Sequence, residues 1–134
     1  MDIKKVVIIG SGTMGSGIAA QLCNANVPVT LLDLKTEISS AAKERIHKSR
    51  PPLLIDKKQI ENIKVGNIND NFDVVKDADW IVEAVVERID IKHNIYEKIF
   101  KNRKPGAIVS SNTSSIPIKV LSEKLSKIEK KDFC

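Results

Sequence analysis

Apolar residues recur along the first third of the chain with two different periods. The run VVIIG at Val6–Gly10 is short and β-branched and ends in glycine, which predicts a strand buried on both faces. The run VPVTLLD at Val27–Asp33 predicts a second strand, and KTEISSAAKERIHKS predicts a helix that ends before Pro51. Between the two strands a helix is predicted by apolar and small residues at helical spacing, namely Met14, Gly15, Ile18, Ala19, Leu22 and Cys23.

The rest of the chain continues this alternation of strands and helices. A short strand is predicted around NIKVG, a helical turn near FDVVKDA, and a further strand over DWIVEAVVE. Ile91, Ile95 and Ile99 form the stripe of an amphipathic helix, after which Pro105 and Gly106 turn the chain into the strand AIVSS. A last helix is predicted from Pro117 to Lys127. This order predicts an α/β fold with a doubly wound, mainly parallel sheet and helices on both faces.

Composition is that of an ordinary globular chain and predicts one domain spanning residues 1–134. Hydrophobic residues make up 42% and charged residues 29% of its 134 residues. The net charge of +5 is scattered, without a basic stripe interleaved with aromatic residues, so we expect no nucleic-acid partner. The two cysteines form no disulfide or metal framework, and the initial apolar run is too short for a signal peptide or membrane span. We therefore expect no metal, no membrane association and a cytoplasmic location.

The stretch GSGTMGSG carries the pattern G-x-G-x-x-G at Gly10, Gly12 and Gly15, where the first strand becomes the first helix. Gly10 permits the tight turn, Gly12 leaves room for a pyrophosphate, and Gly15 lets the helix approach the sheet. Free N–H groups and the dipole at the helix start favour phosphate. The pattern predicts a Rossmann-type, dinucleotide-binding fold, and the alternative is a glycine-rich turn without a ligand.

An acidic residue follows at the spacing that this fold requires. Asp33 ends the second strand, about 20 residues after the glycine turn, where a carboxylate binds the ribose 2′-hydroxyl. Such a carboxylate repels a 2′-phosphate, so the sequence favours NAD over NADP. Alternatively Asp33 only solvates a strand end, with Lys35 softening its field.

Three separated sequence motifs resemble those of one protein family. GSGTMGSGIAAQ, DADWIVEAVVERIDIKHNIYEKI and PGAIVSSNTSSIPI together resemble the NAD-binding domain of the 3-hydroxyacyl-CoA dehydrogenases of fatty-acid β-oxidation. RPPLL and the DW before the fourth strand are most similar to bacterial long-chain members fused to an enoyl-CoA hydratase domain. The resemblance covers nearly the whole chain, in the right order, and is more specific than one glycine turn.

The resemblance implies roles for individual residues. Glu87, Lys92 and Asn112 correspond to positions near the nicotinamide, Asp33 to the adenosine-ribose ligand, and Ser114 to the serine that hydrogen-bonds the substrate oxygen. The pyrophosphate turn corresponds to Gly10, Gly12, Thr13, Met14 and Gly15. An ungapped offset also places Ser49 near the family's CoA contact, although HKSRPP departs from the pattern.

Each of the later assignments has a plainer alternative. Glu87 follows a strand end at the crevice edge, but it could be a solvated loop acid. Lys92 is placed in a helix's first turn, where a cation is unfavourable, yet many lysines only solubilise. Asn112 and Ser114 could instead satisfy a loop's own backbone through Asx and hydroxyl turns.

The base for oxidising a secondary alcohol is not evident. Histidine usually serves near neutral pH, but we expect His47 and His93 to be surface residues. The family has its catalytic histidine in an HFFNP-like motif about twenty residues after the serine, and this chain reaches Cys134 near that place. A helical second domain, which forms the dimer, follows in the family.

The predicted function is therefore that of the NAD-binding domain of a 3-hydroxyacyl-CoA dehydrogenase, in a shortened form inactive alone. The complete enzyme would oxidise (3S)-hydroxyacyl-CoA with NAD, as a homodimer acting on acyl-CoA, whereas this chain is expected to be a monomer. The alternatives are a stand-alone or vestigial NAD-binding module, and another G-x-G-x-M-G dehydrogenase acting on a small hydroxy acid.

Overall fold

Five strands alternate with helices along the chain in the computed structural model, which describes residues 2–134. The strands are β1 (Val6–Ile9), β2 (Val29–Asp33), β3 (Ile63–Asn67), β4 (Trp80–Glu83) and β5 (Ile108–Ser111). The helices are α1 (Thr13–Asn24), α2 (Thr36–Lys48), α3 (Ile89–Asn102), α4 (Ile118–Leu121) and α5 (Lys127–Lys131). Short 3₁₀ segments cover Lys57–Asn62 and Phe72–Asp77.

The five strands form one parallel sheet in the order β3-β2-β1-β4-β5. In the register of the central strand, Ile8 lies between Leu31 of β2 and Val82 of β4. Strand order reverses between β1 and β4, and open α/β sheets bind ligands at the carboxyl ends of strands flanking such a reversal. The predicted doubly wound parallel sheet is confirmed.

Two hydrophobic cores lie on opposite faces of the sheet, and β1 contributes to both. Val7 and Ile9 pack into the core that includes α3, while Val6 and Ile8 pack into the core that includes α1 and α2. All four of these side chains are at most 2% exposed. A strand that is apolar at every position is stable only when both of its faces are covered. Helices therefore cover both faces, as the sequence predicted.

Helix α1 packs on the sheet through its small residues. Its buried positions are Gly15, Ser16, Ala19, Ala20 and Cys23, whereas Met14 is 60% exposed. Of the larger apolar residues in the predicted stripe, Ile18 and Leu22 are partly buried against the core, and only Met14 lies on the outer side. Close approach explains this arrangement, because a Cβ on Gly15 would lie 1.9 Å from the carbonyl oxygen of Gly10.

Two predicted boundaries are wrong. The single helix predicted from Pro117 to Lys127 is two short helices, because α4 ends at Leu121 and a capping box on Ser126 starts α5. The strand predicted over DWIVEAVVE ends at Glu83, where the Glu83 side chain accepts a hydrogen bond from the Val85 N–H at 2.9 Å. Residues 84 to 88 are therefore a loop at the carboxyl end of the sheet.

Two glycines of α1 provide a test of the close approach. We expect Gly15→Ala to destabilise the domain by about 3 kcal/mol, because the new methyl group would clash with backbone atoms of the Gly10 turn. The matched control is Gly17→Ala in the same helix, where an added Cβ meets nothing within 4 Å. That change should stabilise by about 0.5–1 kcal/mol. Urea unfolding measures both, and equal effects of the two substitutions would contradict the packing described.

Candidate functional site

A cleft of about 700 Å³ opens at the carboxyl ends of the strands, where the sequence predicted a nucleotide site. Its lining comes from the segments that follow β1, β4 and β5, from Asp33 at the end of β2, and from two side chains of α2. The lining residues are Gly10, Ser11, Gly12, Thr13, Met14, Asp33, Ile38, Arg45, Ala84, Val85, Val86, Glu87, Asn112, Thr113 and Ser114. Of the predicted site residues, only Gly15 and Lys92 are missing from this lining, and both are buried.

The turn after β1 presents backbone donors to the cleft. Gly10 has a φ of 107°, a left-handed conformation that side chains rarely adopt. Gly12 is the N-cap residue of α1, makes no side-chain cap and has no acidic residue near it in the first turn. Within the described residues, a Cβ on Gly12 would meet no atom within 4 Å. The free space beside these N–H groups is what a pyrophosphate needs.

Asp33 is already held in place by the glycine turn. Its Oδ2 accepts hydrogen bonds from the backbone N–H of Ser11 at 2.8 Å and the Ser11 hydroxyl at 2.5 Å. Its Oδ1 accepts from the N–H of Leu34 at 2.7 Å. A carboxylate has about four lone-pair sites, so Asp33 keeps capacity for a ligand hydroxyl. The carboxylate is fixed in the cleft, although this leaves its predicted ribose role a prediction.

Arg45 is a site residue that the sequence analysis missed. It projects from α2 into the cleft lining and donates from Nη2 to the carbonyl oxygen of Ser11 at 3.0 Å. The hydroxyl of Ser16 donates to the same oxygen, also at 3.0 Å. Arg45 thereby ties α2 to the glycine turn and adds a positive charge near Asp33. Sequence spacing held no signal for it, since an arginine on an amphipathic helix is usually a surface residue.

Glu87 fastens the loop that follows β5. Its Oε2 accepts four hydrogen bonds: from the hydroxyls of Thr113 (2.9 Å) and Ser115 (2.7 Å), and from the N–H groups of Ser114 (3.3 Å) and Ser115 (3.2 Å). Its Oε1 lies 3.1 Å from the Lys92 ammonium. The Ser115 hydroxyl above all, helped by Lys92, lowers the pKa of Glu87 to about 2. Glu87 is therefore a structural anchor of the loop and not merely a solvated acid.

Lys92 is fully buried beneath the cleft. Its ammonium lies 2.6 Å from Oε2 of Glu83, which is also fully buried. Burial raises the pKa of Tyr96, as does its hydrogen bond to Oε1 of Glu83, so the phenol remains a donor. The solubilising alternative for Lys92 is excluded by this burial. The sequence analysis missed Glu83, although a carboxylate closing an otherwise apolar strand was a signal that a cation must lie nearby.

The loop after β5 places Asn112 and Ser114 at the cleft. The Asn112 N–H is bound by the carbonyl oxygen of Glu83 at 2.8 Å, while its side-chain amide has no hydrogen-bond partner among residues 2–134. Ser114 is exposed. The alternative in which side chains satisfy the loop's own backbone holds for Thr113, because its hydroxyl bonds both the carbonyl oxygen and the N–H of Ile116. Asn112 and Ser114 keep their side chains for other partners.

Other polar residues considered from the sequence lie away from the cleft. His93 is half-buried and pairs with the Val120 carbonyl at 3.1 Å, and His47 is half-buried with an enclosed, unpaired Nδ1. The prediction that both are surface residues is thus only partly right. Ser49 donates to the Pro51 carbonyl at 3.0 Å. Across residues 2–134 no group of three or more His, Cys, Asp or Glu residues could hold a metal ion.

A membrane-spanning segment would require a long helix of high hydrophobicity. None of the helices formed by residues 2–134 meets both conditions.

Comparison with known proteins agrees with this geometry. Residues 5–133 match the family model described as 3-hydroxyacyl-CoA dehydrogenase, NAD binding domain. A probable 3-hydroxyacyl-CoA dehydrogenase of Deinococcus radiodurans is 44% identical over 125 residues, or 88% of this chain and 36% of the relative. A putative fatty acid oxidation complex trifunctional enzyme of Rickettsia felis is 42% identical over 131 residues, which is 92% of this chain and 18% of the relative.

A solved structure is similar in fold as well. The crystal structure of 3-hydroxybutyryl-CoA dehydrogenase from Escherichia coli K12 superposes with a TM-score of 0.83 at 25% identity, covering 97% of this chain and 29% of that one. The chain thus spans well under half the length of these relatives.

The acidity of Glu87 yields a measurable stability effect. Because its pKa falls from the usual 4.5 to about 2 in the folded domain, its contribution to stability is complete above pH 4.5 and is lost between pH 4.5 and 2. Glu87→Gln should lower the melting temperature by a few degrees at pH 7, and the difference should shrink as pH falls from 4.5. Thermal scans at several pH values measure this. Glu44→Gln, which removes an exposed helix ion pair with Lys48, is the control and should change little.

Proposed function

The chain belongs to the 3-hydroxyacyl-CoA dehydrogenase family as its NAD-binding domain, and we propose that its cleft holds NAD stretched across the strand ends. The adenosine lies over β2 and the nicotinamide lies near β4 and β5. The observation that carries this proposal is the cleft itself, because it brings the glycine turn, Asp33, Glu87, Asn112 and Ser114 into one lining.

The adenosine half is supported by the geometry around Asp33. In the proposed complex the open first turn of α1 holds the pyrophosphate, and Asp33 accepts from the adenosine ribose. Arg45 holds the glycine turn in place beside this half of the cleft through its hydrogen bond to the Ser11 carbonyl oxygen. We propose a preference for NAD over NADP because the fixed carboxylate would lie against a 2′-phosphate.

The nicotinamide half is supported by the unpaired Asn112 amide and by Glu87. Asn112 can both donate and accept, which suits the ribose hydroxyls or carboxamide at that end of the cofactor. Glu87 lies on the cleft wall and its pKa of about 2 keeps it charged at neutral pH. Lys92 acts from below, through Glu87, since its ammonium is fully buried.

For the whole protein we propose oxidation of a (3S)-hydroxyacyl-CoA to the 3-oxoacyl-CoA. NAD supplies the hydride acceptor for this reaction. Ser114, exposed at the rim, donates a hydrogen bond to the substrate oxygen and holds C3 in place. The hydroxyl proton needs a base, and neither His47 nor His93 lines the cleft. We assign the base to a part of the longer protein outside these residues.

Partners follow from the same family membership. We propose that the whole protein takes acyl-CoA as substrate, works as a homodimer and is cytoplasmic, whereas this 134-residue chain is a monomer in solution. A second candidate function, an NAD-binding module without catalysis, is favoured by the cleft having no histidine in its lining.

Calorimetry tests the cofactor assignment. The unaltered chain should bind NAD at least tenfold more tightly than NADP, and Asp33→Ala should weaken NAD binding by about tenfold while strengthening NADP binding, because the repulsion of the 2′-phosphate is removed. Asp73→Ala, on an exposed aspartate paired with Lys76, is the control and should bind both as before. Equal affinities for the two nucleotides in the unaltered chain would refute the role of Asp33.

A turnover assay separates the two candidate functions in the isolated chain and in the whole protein. With 3-hydroxybutyryl-CoA and NAD, the 134-residue chain should produce NADH no faster than buffer, because its cleft lacks the base. A longer protein that contains this domain should turn over, and Ser114→Ala should reduce its kcat/KM by 10²-fold or more. Rapid turnover by the short chain would show that the catalytic base lies within these 134 residues, contrary to our assignment. An inactive longer protein would favour the binding module.

A further inference from the structure

Glu83 is a fully buried carboxylate to which the proposed function assigns no role. It closes β4 directly beneath the cleft, and neither of its oxygens reaches the lining. Buried carboxylates are costly unless every lone pair is satisfied. The contacts of Glu83 show what this residue holds together.

Four donors from three directions converge on the Glu83 carboxylate. Oε1 accepts from the Tyr96 phenol and from the Ser111 hydroxyl at 2.7 Å. Oε2 accepts from the Lys92 ammonium at 2.6 Å and from the Val85 N–H at 2.9 Å. Every donor therefore belongs to α3, to the end of β5 or to the loop after β4.

We propose that Glu83 is a positioning residue for the nicotinamide end of the cleft, an inference that rests on the proposed NAD site. Glu83 acts through two neighbours. It holds Lys92 against Glu87, which fastens residues 113 to 115, and it holds Ser111 directly before Asn112. Glu83 touches no ligand itself.

The path through Lys92 is short and has one alternative contact. Besides the two carboxylates, the Lys92 ammonium donates only to the Val85 carbonyl, at 3.4 Å, among the residues described. Without the Glu83 charge, Lys92 would turn fully towards Glu87 and compete with the serine and threonine donors of the loop. The Ser114 hydroxyl and the Asn112 amide would then lose their fixed places.

The glycine turn gives the site an internal reference. Asp33 is bound by Ser11 and Leu34, and none of the donors to Glu83 belongs to that half of the cleft. A change at Glu83 should therefore affect the nicotinamide half and spare the adenosine half. ADP contains only the adenosine and pyrophosphate part of NAD, so it measures the spared half.

Glu83→Gln is the sharpest variant because it keeps the shape and removes the charge. A glutamine can keep its oxygen on Lys92 and Val85 and turn its NH₂ towards the Tyr96 and Ser111 hydroxyls, which can accept, so the main loss is the negative charge beside the buried Lys92 ammonium. We expect NAD binding to weaken about tenfold and ADP binding to change less than about twofold, both by calorimetry. Bound NADH fluorescence should also lose the blue shift and enhancement that an enclosed nicotinamide gives.

Asp79→Asn is the matched control for this variant. Asp79 immediately precedes β4, at the opposite end of the strand from Glu83, and also pairs with a lysine, Lys104, and with two backbone N–H groups. This substitution should lower stability without changing the ratio of NAD to ADP affinity. A loss of that ratio in Asp79→Asn equal to that in Glu83→Gln would overturn the proposal.

Tyr96→Phe covers the case in which Glu83→Gln does not fold. It removes one donor to Oε1 and retains the ring, which packs edge-on against Phe133 at 5.0 Å. The NAD to ADP ratio should fall about two- to threefold. An unchanged ratio in this variant and in any folded Glu83→Gln protein would refute the positioning role. Failure of the unaltered chain to bind either nucleotide would instead overturn the NAD site itself, and this inference with it.

Discussion

The contact between Gly15 and the Gly10 carbonyl is the constraint on which the rest of the domain depends. Strand β1 is buried on both faces and continues into a turn at Gly10, where a Cβ would lie 2.3 Å from the carbonyl oxygen of Ala84. With α1 packed on that turn, its first residues, Thr13 and Met14, line the cleft at the carboxyl edge of the sheet. The small residues Ala19, Ala20 and Cys23 then continue the close packing along the helix. Binding geometry and core packing thus have the same cause.

Charge is distributed unevenly beneath this edge. At the β2 end of the cleft, Asp33 is held by neutral donors and is partly open to the cleft. At the β4 end, Glu83, Lys92 and Glu87 form a line of charges that runs from the interior of the sheet to the surface. Buried ions of this kind contribute little net stability, because desolvation offsets their attraction. The further hydrogen bonds of Glu83 and Glu87 include those from polar groups at the end of β5 and in the loop that follows it.

Much of the fold and of the site could be predicted from local patterns. The alternation of β-branched runs with helical stripes predicted the parallel sheet. The spacing from Gly10 to Asp33 predicted that the glycine turn and the carboxylate lie at the same site. Resemblance to a family supplied Glu87, Lys92, Asn112 and Ser114, and the family is confirmed by the comparisons.

What could not be predicted depends on contacts between distant parts of the chain. Arg45 contacts Ser11 of the glycine turn from 34 positions away in the sequence, and Glu83, the last residue of β4, finds its charged partner Lys92 on α3. The last predicted helix was too long, because the helical spacing of apolar residues continues across the point where a capping box at Ser126 starts a new helix.

Three hydrogen bonds already orient Asp33 in the folded domain. Since Ser11 and Leu34 hold the carboxylate before any nucleotide arrives, the cost of ordering it belongs to the folded state and not to association. The unfolded chain keeps none of this geometry. A nucleotide bound at this edge would therefore stabilise the folded domain by a free energy that grows with the logarithm of its free concentration.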